Sequence, residues 1–131
     1  MPIALKPIGV VRTDAQDIPR HWSVSDLEGT LVINDEFAAG LSDIEAGQRL
    51  VVIFAFDRSP RFSVEFLRQE SGEDGVERGV FSLCSPIRPN PIGMSILLVL
   101  AVEGCRIHVR GIDMFEGTPI LDLKPHVEIP Y

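Results

Sequence analysis

The sequence predicts a mainly β protein: a single small β-barrel of about seven strands with one or two short helices. Three observations carry this. Short segments at roughly 5–12, 29–33, 49–56, 63–68, 79–83, 95–102, 106–112 and 120–123 read as strands, by period-two alternation or by continuous apolar character. Two of them, Leu50-Val-Val-Ile-Phe-Ala-Phe and Ile96-Leu-Leu-Val-Leu-Ala-Val, are apolar on both faces. The chain has 131 residues, which suits one domain with one core. So many strands in so short a chain imply closure, because a barrel leaves no edge exposed.

Taken in order, the first strand ends in Ile8-Gly9-Val10-Val11-Arg12 and the second is Gly29-Thr-Leu-Val-Ile. Asn34 is placed to cap a short turn through Phe37 and Ala39. Ser42-Asp43-Ile44-Glu45 has the spacing of a capping box, with Gly47 as its stop. The 49–56 and 95–102 strands are expected to face the barrel interior on one side and a helix or second subunit on the other, so a homodimer is expected. Segment 70–78 (Glu-Ser-Gly-Glu-Asp-Gly-Val-Glu-Arg) is polar and glycine-containing, and reads as a mobile loop between the 63–68 and 79–83 strands. No repeat, low-complexity tract or linker divides the chain.

Apolar residues make up 45%, enough for a packed interior without staples. Twelve basic against nineteen acidic residues give a net charge of -7. That balance argues against a nucleic-acid partner, since phosphate contacts dominate such affinity, although local patches override it. Arg58, Arg61 and Arg68 lie close together in sequence. No apolar run approaches the roughly 20 residues that span a bilayer, and the start Met1-Pro-Ile-Ala-Leu-Lys lacks the regions of a signal peptide. No membrane association and a cytoplasmic location are expected. Cys84 and Cys105 show neither metal-ligand spacing nor a Cys-x-x-Cys pair, so a reduced pair and no metal are expected. There is no Gly-x-Gly, P-loop or Gly-x-Ser-x-Gly.

The most informative stretch is Cys84-Ser-Pro-Ile-Arg-Pro-Asn-Pro-Ile-Gly93. Three prolines each fix their own φ and restrict the residue before them, which holds Asn90 extended. Composition alone leaves two readings open: a rigid loop presenting Arg88 and Asn90 to a ligand, or a structural corner with Arg88 merely solvated. A second stretch is Gly111-Ile-Asp-Met-Phe-Glu-Gly-Thr-Pro-Ile-Leu-Asp-Leu-Lys-Pro-His126.

With Gly79-Val-Phe, Glu28-Gly-Thr-Leu-Val-Ile, Gly40-Leu41 and the opening Ile8-Gly-Val-Val-Arg, these two stretches resemble the TrmO (TsaA-like, YaeB-like) family over nearly the whole chain except about 59–78. The resemblance implies an S-adenosylmethionine-dependent methyltransferase on a single β-barrel. Its substrate would be tRNA bearing N6-threonylcarbamoyladenosine beside the anticodon, and the cofactor would sit where two barrels of a homodimer meet. Position by position it implies cofactor contacts at Pro19, Arg20 and His21; at Asp57 and Arg58; at Cys84, Met94, Ser95 and Ile96; and at Met114, Phe115, Glu116 and Gly117. Arg88, Asn90 and Asp113 would take substrate or catalytic roles. Asp122 and Lys124 complete the signature, and with Asp113 would equally suit a buried ion pair fixing the loops. A sulfonium favours carboxylates and aromatic faces, and adenine favours an apolar slot. An Asp or Asn would orient an acceptor amine and take its proton.

The chain departs from the family's pattern at Asp57, where members commonly have His; at Cys84, where they have Arg; and at His126, where they have Tyr. Losing the arginine weakens a carboxylate or phosphate contact. Longer members carry a further C-terminal domain, whereas this chain ends at Tyr131, so a smaller tRNA footprint is expected. Two alternatives follow: a methyltransferase acting on a small-molecule or protein acceptor, and a non-catalytic S-adenosylmethionine-binding module. A tRNA enzyme is expected to show a continuous basic strip around Arg20, Arg58, Arg61 and Arg88.

Overall fold

In a computed structural model, which describes residues 2–127, alternation builds the molecule. Six strands close into an antiparallel barrel: β1 (Gly9–Arg12), β2 (Glu28–Ile33), β3 (Arg49–Ala55), β6 (Ile92–Glu103), β7 (Arg106–Arg110) and β8 (Pro119–Pro125). Around the barrel the order is β1-β2-β7-β6-β3-β8. Two further strands, β4 (Arg68–Glu70) and β5 (Glu77–Gly79), form a separate hairpin.

Inward positions fall at every second residue. Leu50, Val52 and Phe54 of β3 face Leu97 and Val99 of β6, with Val11, Leu31, Ile107, Val109 and Ile120 from the other strands. Outward positions on the same strands, such as Val51, Ile53, Ile96 and Leu98, are only half-buried. Gly9 and Gly29 are required by packing. A Cβ on Gly9 would lie 2.3 Å from the Val32 carbonyl oxygen, and one on Gly29 would lie 2.9 Å from that of Arg12.

Five local expectations are corrected. The 63–68 segment is a 3₁₀ turn over Val64–Leu67 leading into β4, and the 79–83 segment leaves β5 at Gly79 into a second 3₁₀ turn over Val80–Ser82. Their alternation was real, but Val64 and Phe81 project into solvent instead of a core. Segment 70–78 is the end of the β4–β5 hairpin, with 71–76 as its turn and Arg78 forked onto both Asp74 oxygens at 3.1 and 2.7 Å. Asn34 precedes the 3₁₀ segment Asp35–Leu41 but makes no side-chain cap. Ser42 donates backwards to the Ala39 carbonyl (3.0 Å) and no helix follows it. Both cysteines are free thiols. No helix among the described residues is long and apolar enough to cross a membrane. The end of the chain at Tyr131 lies outside the described residues.

Antiparallel order has one consequence for function. The connections β1–β2 (13–27), β3–β6 (56–91) and β7–β8 (111–118) all emerge at the same end of the barrel. The opposite end carries the 34–48 connection, the tight turn at Gly104 and, among the described residues, the segments before β1 and after β8.

Candidate functional site

Those three connections enclose a cavity of about 590 Å³ at their end of the barrel. The β1–β2 loop contributes Ile18, Pro19, Arg20, His21 and Trp22. The β3–β6 excursion contributes Phe56, Asp57, Arg58, Ser59, Pro60, Leu83, Cys84, Pro86 and Arg88. The β7–β8 loop contributes Asp113, Met114, Phe115 and Thr118, and the strand ends add Phe54, Ala55, Ile92, Gly93 and Met94. Phe54 and Phe56 meet edge to face at 5.1 Å. Gly93 makes room for them, since a Cβ there would lie 2.4 Å from the Phe54 ring.

The polar side of the cavity centres on Asp113. Ser95 points into the barrel interior, fully buried, and its hydroxyl donates to Asp113 Oδ1 at 2.6 Å. Burial pushes the Asp113 carboxyl above its ordinary pKa; the Ser95 hydroxyl, the Trp22 backbone N–H and the nearby His21 act against that shift. His21 is itself anchored, Nδ1 lying 2.6 Å from the Ser23 hydroxyl.

The arginines at the mouth are engaged within the chain. Arg20 pairs with Glu73 at the hairpin tip. Arg58 donates to the Glu116 carbonyl (2.8 Å) and lies over the Phe115 ring, 5.1 Å from its centroid. Arg88 donates from Nη1 to the carbonyls of Leu83 (2.9 Å) and Ser85 (3.3 Å), so it ties the proline-rich loop together. Arg61 is exposed and has no hydrogen-bond or ion-pair partner among the described residues.

Of the positions singled out from sequence, Pro19, Arg20, His21, Asp57, Arg58, Cys84, Arg88, Met94, Asp113, Met114 and Phe115 line this cavity. Asn90, Ser95, Ile96, Glu116 and Gly117 do not. Asn90 is exposed on the loop, with its carbonyl accepting from the Ile92 N–H (2.7 Å). Alternation turns Ser95 inward and Ile96 outward. Ile96 instead lines a second hollow on the outer wall, with Leu98, Arg49, Arg110, Gly111 and His126. Glu116 faces Arg12 at 3.4 Å, and Gly117 takes φ +83° so that its N–H reaches the Val11 carbonyl. Asp122 and Lys124 do pair, at 2.8 Å, but on the surface and apart from Asp113. Sequence reasoning missed Trp22, Phe54 and Phe56 as lining residues; the aromatic beside His21 was the one available signal.

Residues 10–129 match the family described as the tRNA-methyltransferase O N-terminal domain. The chain belongs to that family. Within it, the chain is 39% identical over 125 residues to an S-adenosyl-L-methionine-binding protein of Archaeoglobus fulgidus, covering 93% of this chain and 88% of that protein. It is 38% identical over 87 residues to the human tRNA (adenine(37)-N6)-methyltransferase, covering 66% of this chain and 20% of the human protein. The crystal structure of TrmO from Pseudomonas aeruginosa superposes with a TM-score of 0.76 at 29% identity, over 97% of this chain and 57% of that one. The chain therefore spans little more than half the length of that solved TrmO.

Proposed function

We propose that this chain is an S-adenosylmethionine-dependent methyltransferase that binds its cofactor in the cavity at the loop end of the barrel. The acceptor is the adenine N6 of tRNA, with threonylcarbamoyladenosine beside the anticodon as the modified nucleoside. The observation that carries the reading is the pairing of a recessed carboxyl with an aromatic floor. Asp113 is seated on Ser95 beside Phe54, Phe56 and Trp22. The donor set fits the group. The volume falls in the range of about 300–1,000 Å³ usual for small-molecule sites. Apolar and aromatic walls suit an adenine, and carboxylates at Asp113 and Asp57 suit a cation. The cofactor, when bound, supplies an electrophilic methyl group on a sulfonium.

The chain's residues then do three things. Trp22, Phe54 and Phe56 exclude water. Arg88 and the prolines hold the 84–91 loop in one shape, so that alignment costs little at the moment of reaction. Asp113, with its pKa raised, accepts the proton that an acceptor amine loses, or orients that amine by accepting its hydrogen bond. Family membership and the names of the Archaeoglobus and human relatives support the cofactor and the acceptor. The outward Val51 and Ile53 of β3, with the exposed Met94 of β6 beside Ile53, support a homodimer through the part of that face next to the cavity. A cytoplasmic, metal-free protein is part of the same proposal.

A second reading keeps the cofactor and changes the acceptor to a small molecule or protein, or drops catalysis altogether. One observation favours it: Arg20, Arg58 and Arg88 are spent on Glu73 and on backbone carbonyls, which interrupts the basic strip a tRNA enzyme is expected to present. Calorimetric titration with S-adenosylmethionine, followed by a methyl-transfer assay on tRNA, decides between them. Binding with turnover on tRNA is expected. Binding without turnover leaves the second reading, and no binding by folded protein sinks both.

A further inference from the structure

The hollow on the outer wall holds about 480 Å³ and is lined by Trp22, Ser23 and Ser25 from the β1–β2 loop and by Ile96, Leu98, Arg49, Arg110, Gly111 and His126. In a chain of net charge -7, it takes two arginines and a histidine and no carboxylate. Strand register puts the arginines there. Leu98 of β6 pairs with Arg49 of β3 on one side and with Arg110 of β7 on the other. The three form one outward row, and the two arginine Cα atoms are about 10 Å apart, twice the spacing of neighbouring strands. The His126 N–H reaches the Arg49 carbonyl at 3.4 Å, which sets the histidine beside that arginine. Arg49 has no ion-pair partner among the described residues, and Arg110 has only a loose one, Glu28 at 3.8 Å.

Two arginines that flank the half-buried apolar residues Ile96 and Leu98 suit a phosphate better than a carboxylate. A phosphate offers oxygens on both sides at once. Trp22 borders both this hollow and the first cavity. The two hollows are therefore neighbours, and a nucleotide chain with one base in the first cavity runs past Trp22 toward the second.

We propose that Arg49 and Arg110, with His126, seat a phosphodiester of the RNA acceptor next to the methyl-transfer cavity. This rests on the tRNA reading above, and it locates the missing basic contact on the outer wall instead of the cavity mouth. The test is the salt dependence of tRNA binding, by fluorescence anisotropy, for the full chain and for Arg49→Ala, Arg110→Ala and Arg106→Ala. Arg106 is an exposed arginine at the far end of β7 and serves as the control. Methyl transfer to the same tRNA is measured in parallel, and S-adenosylmethionine titration confirms that each variant is folded. Arg49→Ala and Arg110→Ala are each expected to lower the slope of log K against log salt by about 0.7–0.9, the worth of one phosphate contact; Arg106→Ala leaves it unchanged. If the parent methylates tRNA but all three slopes match the parent, or all three fall together, the seat is wrong while the tRNA reading stands. If the parent binds S-adenosylmethionine but no tRNA, the seat and the tRNA acceptor fall together.

Discussion

The barrel wall and the 56–91 excursion face each other across the candidate site and are ordered by different forces. In the wall, ladders join every strand to two neighbours, and Val11, Leu31, Val52, Leu97, Val109 and Ile120 are fully buried. In the excursion, Phe81 and Val64 are each 77% exposed, so burial of these large side chains contributes little. Beside the short β4–β5 ladder and the buried Val80, single side chains hold it: Arg88 on two carbonyls, Gln69 bridging the Phe66 and Ile87 carbonyls at 2.7 and 2.8 Å, and Arg78 on Asp74. The contrast teaches where sequence is free to vary. One wall of the cavity is fixed by the core, whereas the other can change its chemistry, as at Asp57 and Cys84, without unfolding the molecule.

The comparison is broken most directly by truncating one large apolar residue in each region. Leu97→Ala removes a side chain with no exposed surface and is expected to cost about 2–5 kcal/mol. Phe81→Ala, in the excursion, is expected to stay within about 0.5 kcal/mol. Urea unfolding of both variants gives the two numbers. Similar losses would mean that the excursion shares the core, and the distinction would fail.

The seam between the regions is Gly93, where the proline-rich loop enters β6. An added Cβ would lie 2.4 and 2.6 Å from Phe54 ring atoms and 2.8 Å from Phe56. Gly93→Ala therefore forces the aromatic floor to move, at about 1–3 kcal/mol. Because those rings line the cavity, its S-adenosylmethionine affinity is expected to fall more than that of Leu97→Ala, although it is the milder change to stability. Calorimetry at a temperature where both variants are folded tests the order.

The same division explains what was legible in the sequence. Strands of the wall could be read because alternation there reports burial: Arg49 out, Leu50 in, Val51 out, Val52 in. The excursion could not, because Ser63-Val-Glu-Phe-Leu-Arg carries an alternation that no core enforces. Within the site, the stiffness of 84–93 followed from its prolines. That Arg88 turns back onto Leu83 depends on a tertiary path that no local pattern encodes. Resemblance supplied Pro19, Arg20 and His21, which sit in a long loop without periodicity. Neither source gave Trp22, nor the Arg49–Leu98–Arg110 row, which exists only once strand register is known.

Asp113 lies on the rigid side and its titration sharpens the comparison. Its folded-state pKa is raised, so the protein binds more protons at this site than the unfolded chain does. Stability from this group is fully present below the unfolded carboxyl value of about 3.9 and is lost as pH rises through the raised folded value. Asp113→Asn keeps an oxygen for the Ser95 hydroxyl and removes the buried charge. It is expected to melt slightly higher than the parent at pH 7, to lose that segment of pH dependence, and to lose turnover. A variant that melts lower at pH 7 would show that Ser95, the Trp22 N–H and His21 together hold the ionised carboxylate more strongly than burial opposes it.

Asp74, at the tip of the hairpin on the adaptable side, gives the opposite sign and the smallest effect. Its pKa is lowered to about 2, first by the Arg78 side chain and then by the Val76 N–H, which donates at 2.9 Å. The order it lends the turn is therefore present above the unfolded value of about 3.9 and is lost as pH falls through about 2. The group is fully solvated, so the barrel should not register the change. In Asp74→Asn the melting temperature is expected to match the parent across pH 2–7, while the Val76 and Arg78 resonances lose their acid titration. The neighbouring Glu73 carries the pair to Arg20 at the cavity mouth. A fall in S-adenosylmethionine affinity in this variant, with no change in melting, would mean that the hairpin tip positions Arg20, and that the adaptable wall reaches further into the site than its hydrogen bonds alone imply.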